Sequence, residues 1–143
     1  MKDIKEISQE TKKELQKLYP NTKFSITLKR YSGGQSLDVS ILESDIKIWV
    51  DGEERKHEQV NHYHYKTHDQ YTDEAKQLFE KVCEVTNREN FDNSDPQTDY
   101  FNVGFYFHLG IGKWNKPFIF KGNKKDVENK ISNALSQVLQ GGN

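Results

Sequence analysis

A single cysteine, Cys83, leaves this chain of 143 residues without a partner for an internal disulfide or a second thiolate for a metal cage. A reducing, intracellular setting suits such a chain. No apolar run approaches the roughly 20 residues that a membrane span requires. The opening stretch MKDIKEISQETKK alternates charge around no apolar centre, so it reads as neither a signal peptide nor an anchor. These absences predict a cytoplasmic protein. Hydrophobic residues are also scarce, at 33% against 30% charged, so the core is expected to be thin and the loops long and solvated. One domain, 1–143, fits the length; two well-packed ones do not. Aromatic residues, at 12%, are the exception to this poverty, and some are available for an interface.

The net charge of −1 conceals an asymmetry. Residues 31–104 hold seven Lys/Arg against sixteen Asp/Glu, while both flanking segments are basic. An acidic middle argues against a nucleic-acid groove and for a basic protein partner, because opposite charge speeds encounter and like charge near phosphate is costly. A solvated loop that keeps a small domain soluble is the competing explanation.

Ile4, Ile7, Thr11, Leu15 and Leu18 recur at three- and four-residue intervals over 3–18, one face of a helix that Pro20 and Asn21 stop. Phe24, Ile26 and Leu28, then Leu37, Val39 and Ile41, alternate with polar residues on either side of Gly33-Gly34, the pattern of a hairpin with one apolar face. Gly33 and Gly34 are the structural turn, since glycine takes positive φ without steric cost. IKIWV at 46–50 is a third β-prone run. From 51 to about 72 the chain is polar and aperiodic, an insertion or loop. Thr72 reads as an N-cap for a helix that buries Ala75, Leu78, Phe79, Val82 and Val85. YFNVGFYFHL, starting at Tyr100 or Phe101, is the strongest strand candidate, and Val127, Ile131, Ala134, Leu135 and Val138 mark a last helix over about 124–139. The order α-β-β-(β)-α-β-α predicts an α+β fold, an antiparallel three- to four-stranded sheet packed by helices.

No residue constellation points to catalysis. His57, His62, His64 and His68 form the one cluster able to hold a metal, with Asp69 as a spare oxygen ligand, but neither structural nor catalytic zinc spacing is present. The expectation is no metal and no cofactor. Asp92 and Asp95 sit in turn-forming sequence where carboxylates stay wet and ionised; Asp99 is the exception, at the entry to an apolar strand, and Thr98-Asp99 reads first as a turn or cap and second as part of a ligand site. Cys83 has Glu80 and Glu84 nearby and lies by a buried helix face, the setting of an inert thiol. GIGKW at 110–114 lacks the Gly-Lys-Ser/Thr ending of a phosphate loop. What remains is an interface: Trp49, Tyr63 and Tyr65 as aromatic anchors among Glu53, Glu54 and Asp69, with Trp114 assigned instead to the core or a loop anchor.

The block Tyr31-Ser32-Gly33-Gly34-Gln35-Ser36-Leu37-Asp38-Val39-Ser40 resembles the hairpin of a large polyvalent protein-associated domain of phage, plasmid and conjugative-element proteins. The likeness takes in the first helix and hairpin and, more weakly, the second helix, NSDPQTDYF and the following strand. Residues 46–72 and the last helix lie beyond the domain's short form. The resemblance, with a Lys/Asn/Tyr-rich composition, implies a protein similar to the small anti-defence proteins of staphylococcal mobile elements, acting in the bacterial host cell. It implies a non-enzymatic anti-CRISPR inhibitor whose partner is a Cas9-type nuclease or another host defence protein. Two alternatives stand beside it: an accessory module binding DNA or a relaxosome protein through basic terminal helices, and a small enzyme of unknown reaction. Direct nucleic-acid binding is not the expectation.

Overall fold

The computed structural model describes residues 2–91 and 104–122. Its elements are α1 (Ile4–Leu18), β1 (Lys23–Tyr31), β2 (Gly34–Ser44), β3 (Glu58–Val60), a 3₁₀ turn (Tyr65–Thr67), α2 (Asp73–Asn87), β4 (Tyr106–Ile111) and β5 (Ile119–Phe120). The expected last helix, and the part of the expected strand before Gly104, lie outside the described residues.

Both helices follow from capping and periodicity. The Asp3 carboxylate accepts the Lys5 N–H at 2.8 Å, and the Thr72 hydroxyl accepts the Ala75 N–H at 3.1 Å, so each first turn has one orphan donor satisfied by a side chain. Ile4, Ile7, Thr11 and Leu15 form the buried stripe of α1. Leu18, expected on that stripe, is exposed in the final turn, where the chain breaks off toward Pro20. Ala75, Leu78, Phe79, Val82, Val85 and Thr86 form the stripe of α2.

β1 and β2 pair antiparallel around a two-residue loop, Ser32-Gly33, in which Gly33 takes φ +91°. The sheet order is β1-β2-β4-β3, with β5 also paired to β2. The fold is α+β, and the sheet is mixed: β1–β2 and β3–β4 are antiparallel, while β4 and β5 both run parallel to β2. The chain leaves the end of β2 and returns through α2, which is the crossover that a parallel pair needs. β4 thereby enters the centre of the sheet, packed against α2.

The run 46–50 is not a strand. The Ser44 hydroxyl, buried against that of Thr22 at 2.8 Å, accepts the Ile46 N–H at 3.0 Å and bends the chain out of β2. Trp49 keeps one isolated bridge, to Tyr71. The outer strand beside β4 is instead β3, within the stretch read as aperiodic.

Leu37, Val39 and Ile41 of β2 and Phe107, Leu109 and Ile111 of β4 meet Leu78, Phe79 and Val82 of α2 and Ile4, Ile7 and Leu15 of α1 in one core. Side chains alternate across a strand. Ser36, Asp38 and Ser40 therefore share the opposite face with Tyr106 and His108, and no described helix packs there.

Candidate interaction surface

Residues 49–71 fold over the outer end of the sheet and hold most of the residues singled out from sequence. Trp49 is 4% exposed; its indole N–H donates to Glu58 Oε2 at 2.7 Å and its ring meets Phe118 edge-on at 5.7 Å. Tyr65 is equally buried, edge-on to Phe79 at 5.7 Å. Both are core side chains here, which removes them as surface anchors. Burial lifts the Tyr65 phenol to about 12. It lifts Tyr71 well above the ordinary phenol range, with the neighbouring Glu58 adding to the rise.

Tyr63 remains outside, 82% exposed, with its ring tilted against His62 at 4.2 Å. His62 rests edge-on to Phe107 at 5.1 Å, and burial, then the proximity of His108, pushes its pKa down. A groove of about 490 Å³ opens beside them between Tyr106, Phe91 and the Asn90 end of α2. Asn90 is fixed by its own bonds: its carboxamide accepts the Phe105 N–H at 3.0 Å and donates to the Phe105 carbonyl at 2.9 Å, as a neighbouring strand would.

Glu53 and Glu54 lie on the exposed 51–57 loop, and Asp69 is exposed near the end of the segment. The loop is tied down: Gly52 N–H donates to Glu54 Oε2 at 2.9 Å, Asp51 pairs with Lys47, and Phe118 N–H donates to the Lys56 carbonyl at 2.7 Å. The acidic middle is partly neutralised within the fold, by Arg55 on Glu58 and Lys121 on Glu43. Glu53, Asp69, Asp73 and Glu74 carry no ion pair among the described residues.

The exposed tryptophan is Trp114, not Trp49. At 83% exposure it stands on a tight turn closed by reciprocal backbone bonds between Lys113 and Lys116, at 2.7 and 3.0 Å. Ile119 and Phe120 of β5 are also exposed, at 50% and 44%. The Gly112-Lys113 and Asn115-Pro117 flanks were the only local signal of a turn able to present Trp114.

The remaining candidates for chemistry separate. His62 faces Phe107 and His68 stacks on Tyr71, and among the described residues no three His, Cys, Asp or Glu side chains converge as a metal site. Burial raises Cys83 to about 11. Asp92, Asp95, Thr98 and Asp99 lie outside the described residues. No described helix is long and apolar enough to cross a membrane.

No curated protein and no solved structure matches the chain. A family model, large polyvalent protein associated domain 29, matches residues 2–103. The match runs from α1 through α2, includes residues 46–72, which were expected to lie beyond the domain, and stops short of β4. The hairpin with its Gly33 turn and the two capped helices thus fall inside the matched stretch, and the chain belongs to the large polyvalent protein associated domain 29 family, carried by phage and plasmid proteins.

Proposed function

We propose that this protein is a non-enzymatic anti-defence protein of a mobile element, and in concrete terms an inhibitor that binds a Cas9-type nuclease and blocks DNA access or cleavage. The observation that carries the reading is the exposure of two large aromatic side chains, Tyr63 and Trp114, on turns fixed by backbone and side-chain hydrogen bonds. Large aromatics cost little entropy to immobilise and recur as anchors of protein interfaces. Glu53, Asp69, Asp73 and Glu74, without an ion pair among the described residues, add acidic charge suited to the basic surface of a nuclease that handles DNA.

The accessory-module alternative places the interface on basic terminal helices. α1 supplies one half of that reading, an exposed row containing Lys12, Lys13 and Lys17. The two are separated by binding kinetics on the nuclease and on duplex DNA. Tyr63→Ala and Trp114→Ala are expected to raise the dissociation rate from the nuclease about tenfold or more, and Glu53→Lys with Glu54→Lys to slow association. DNA binding lost on changing Lys12, Lys13 and Lys17, with no nuclease complex, supports the alternative.

A further inference from the structure

We propose that the turn bearing Trp114 is a stacking site for an unpaired base of a single-stranded nucleic acid, with Lys116 and Lys56 supplying charge for the strand's phosphates. This goes beyond the inhibitor reading above and stands or falls without it.

Trp114 is 83% exposed. An indole lying flat on the protein would hide one of its two faces, so exposure on that scale leaves a face free to take a base in contact. The ring also stands on a fixed support. Lys113 and Lys116 close the two-residue turn with reciprocal backbone bonds of 2.7 and 3.0 Å, and the next residue, Pro117, has its φ set by its ring. At the foot of the turn Gly112 is packed so closely that a Cβ there would lie 2.7 Å from both the Lys56 carbonyl and Phe118 N. The Phe118 N–H donates to that same carbonyl at 2.7 Å, which ties the backbone of Lys56 to the turn. A side chain held on ordered backbone loses less freedom on binding than one on a loose loop.

The charge on this support is of one sign. Residues 110–122 hold Lys113, Lys116 and Lys121 and no Asp or Glu. Lys121 is paired with Glu43, but Lys113 Nζ donates to Ser25 Oγ at 2.8 Å, a neutral partner that leaves its charge uncompensated. Lys56 and Lys116 are exposed and carry no ion pair among the described residues. On the loop that carries Lys56, Glu54 turns back onto the Gly52 N–H and Glu58 receives Trp49 and Arg55.

An open aromatic face among uncompensated lysines is the pairing by which single strands are bound without regard to sequence, ring to base and ammonium to phosphate. A protein hot spot suits the turn less, because such anchors sit in desolvated surroundings and Trp114 has Lys113, Asn115 and Lys116 as its turn neighbours. A duplex suits it less as well, since its bases are already stacked on one another.

The test uses the chain's own fluorescence. Of its two tryptophans Trp49 is buried and bonded to Glu58, so a quencher arriving from solution reports on Trp114. The full chain is titrated with a labelled oligodeoxythymidine of about 12 nucleotides, a length within the usual single-strand site sizes, and followed by tryptophan quenching and by anisotropy of the label. Binding with quenching is expected. Trp114→Ala is expected to weaken it about tenfold, and Trp114→Phe, which keeps a ring, to recover part of the loss. Lys56→Ala and Lys116→Ala are each expected to reduce the slope of log affinity against log salt by about 0.7. All three positions are exposed, so melts of the variants should match wild type. Polyglutamate, a duplex of the same length and vesicles of phosphatidylglycerol are the competing anions. No binding of the oligonucleotide, equal affinity for wild type and Trp114→Ala, or equal or tighter binding of any competing anion would overturn the proposal. Loss of binding only on changing Lys12, Lys13 and Lys17 of α1 would do the same. No nuclease is present in the titration, so the result is independent of whether cleavage is inhibited.

Discussion

Gly33 and Gly112 illustrate two ways in which a single position constrains the chain. Gly33 sits at φ +91° with open space around it, so a side chain there is penalised by backbone conformation alone. Gly33→Val is expected to lower stability by about 1–2 kcal/mol in thermal or denaturant melts. Gly112, at φ +64°, also has the Lys56 carbonyl and Phe118 N each 2.7 Å from where a Cβ would lie, and backbone cannot swing aside as a flexible side chain can. Gly112→Ala is therefore expected to destabilise more than Gly33→Val; equal melts would show that the loop relaxes. Trp49→Ala removes a buried ring and strands the Glu58 carboxylate, so it belongs among core truncations, which cost about 3–5 kcal/mol. A Trp49→Ala variant with wild-type stability and weakened partner binding would restore its role as an anchor. Cys83 and Tyr65 supply a pH signature. Burial raises the first from 9.0 to about 11 and the second from 10.0 to about 12, so each favours the folded state below its ordinary value. That contribution is lost as pH rises through the window from about 9 to 12. Melting midpoints should fall across it, and iodoacetamide should label Cys83 at pH 8 only on unfolding.

At the scale of elements, sequence foretold what depends on local period and missed what depends on distant partners. The two helices and the hairpin were legible because their buried residues recur at 3.6- and 2-residue intervals and because Pro20, Thr72 and Gly33 are local signals with local effects. The parallel β2–β4 pairing joins Ser36–Ile41 to Tyr106–Ile111, and nothing near either strand announces it. Trp49 and Trp114 exchanged roles for the same reason. Burial of Trp49 depends on Phe118, remote in sequence, as well as on Glu58, while Trp114 has no described partner across the sheet. Of the residues offered as an interface, Tyr63, Glu53, Glu54 and Asp69 are on the surface and Trp49 and Tyr65 are not. The α1–α2 contact offers a test of what holds elements together. Arg88 forks onto Glu14 at 2.9 and 3.1 Å across it, but both groups are in water; Leu15 is fully buried beneath. Leu15→Ala is expected to cost about 2–5 kcal/mol and Arg88→Ala to leave the melting midpoint nearly unchanged, more so at high salt. The reverse ranking would mean that the surface pair, not burial, fastens α1.

At the scale of the molecule, packing among the described residues is one-sided: both described helices lie against the apolar face of a mixed sheet, and Tyr31, Tyr106, His108 and the Lys29–Asp38 pair are on the other. Tyr63 and Trp114, each on its own turn, are exposed and available for contact. The proposed function is occupation of a partner in fixed proportion. The direct measurement is cleavage of a target DNA by a fixed amount of the host's Cas9-type nuclease while this protein is titrated in. The account predicts a linear fall in cleavage that ends at one equivalent, with the inhibitor recovered unaltered in the complex. Undiminished cleavage at large excess, or full inhibition at a small fraction of an equivalent as an enzyme would give, would contradict it.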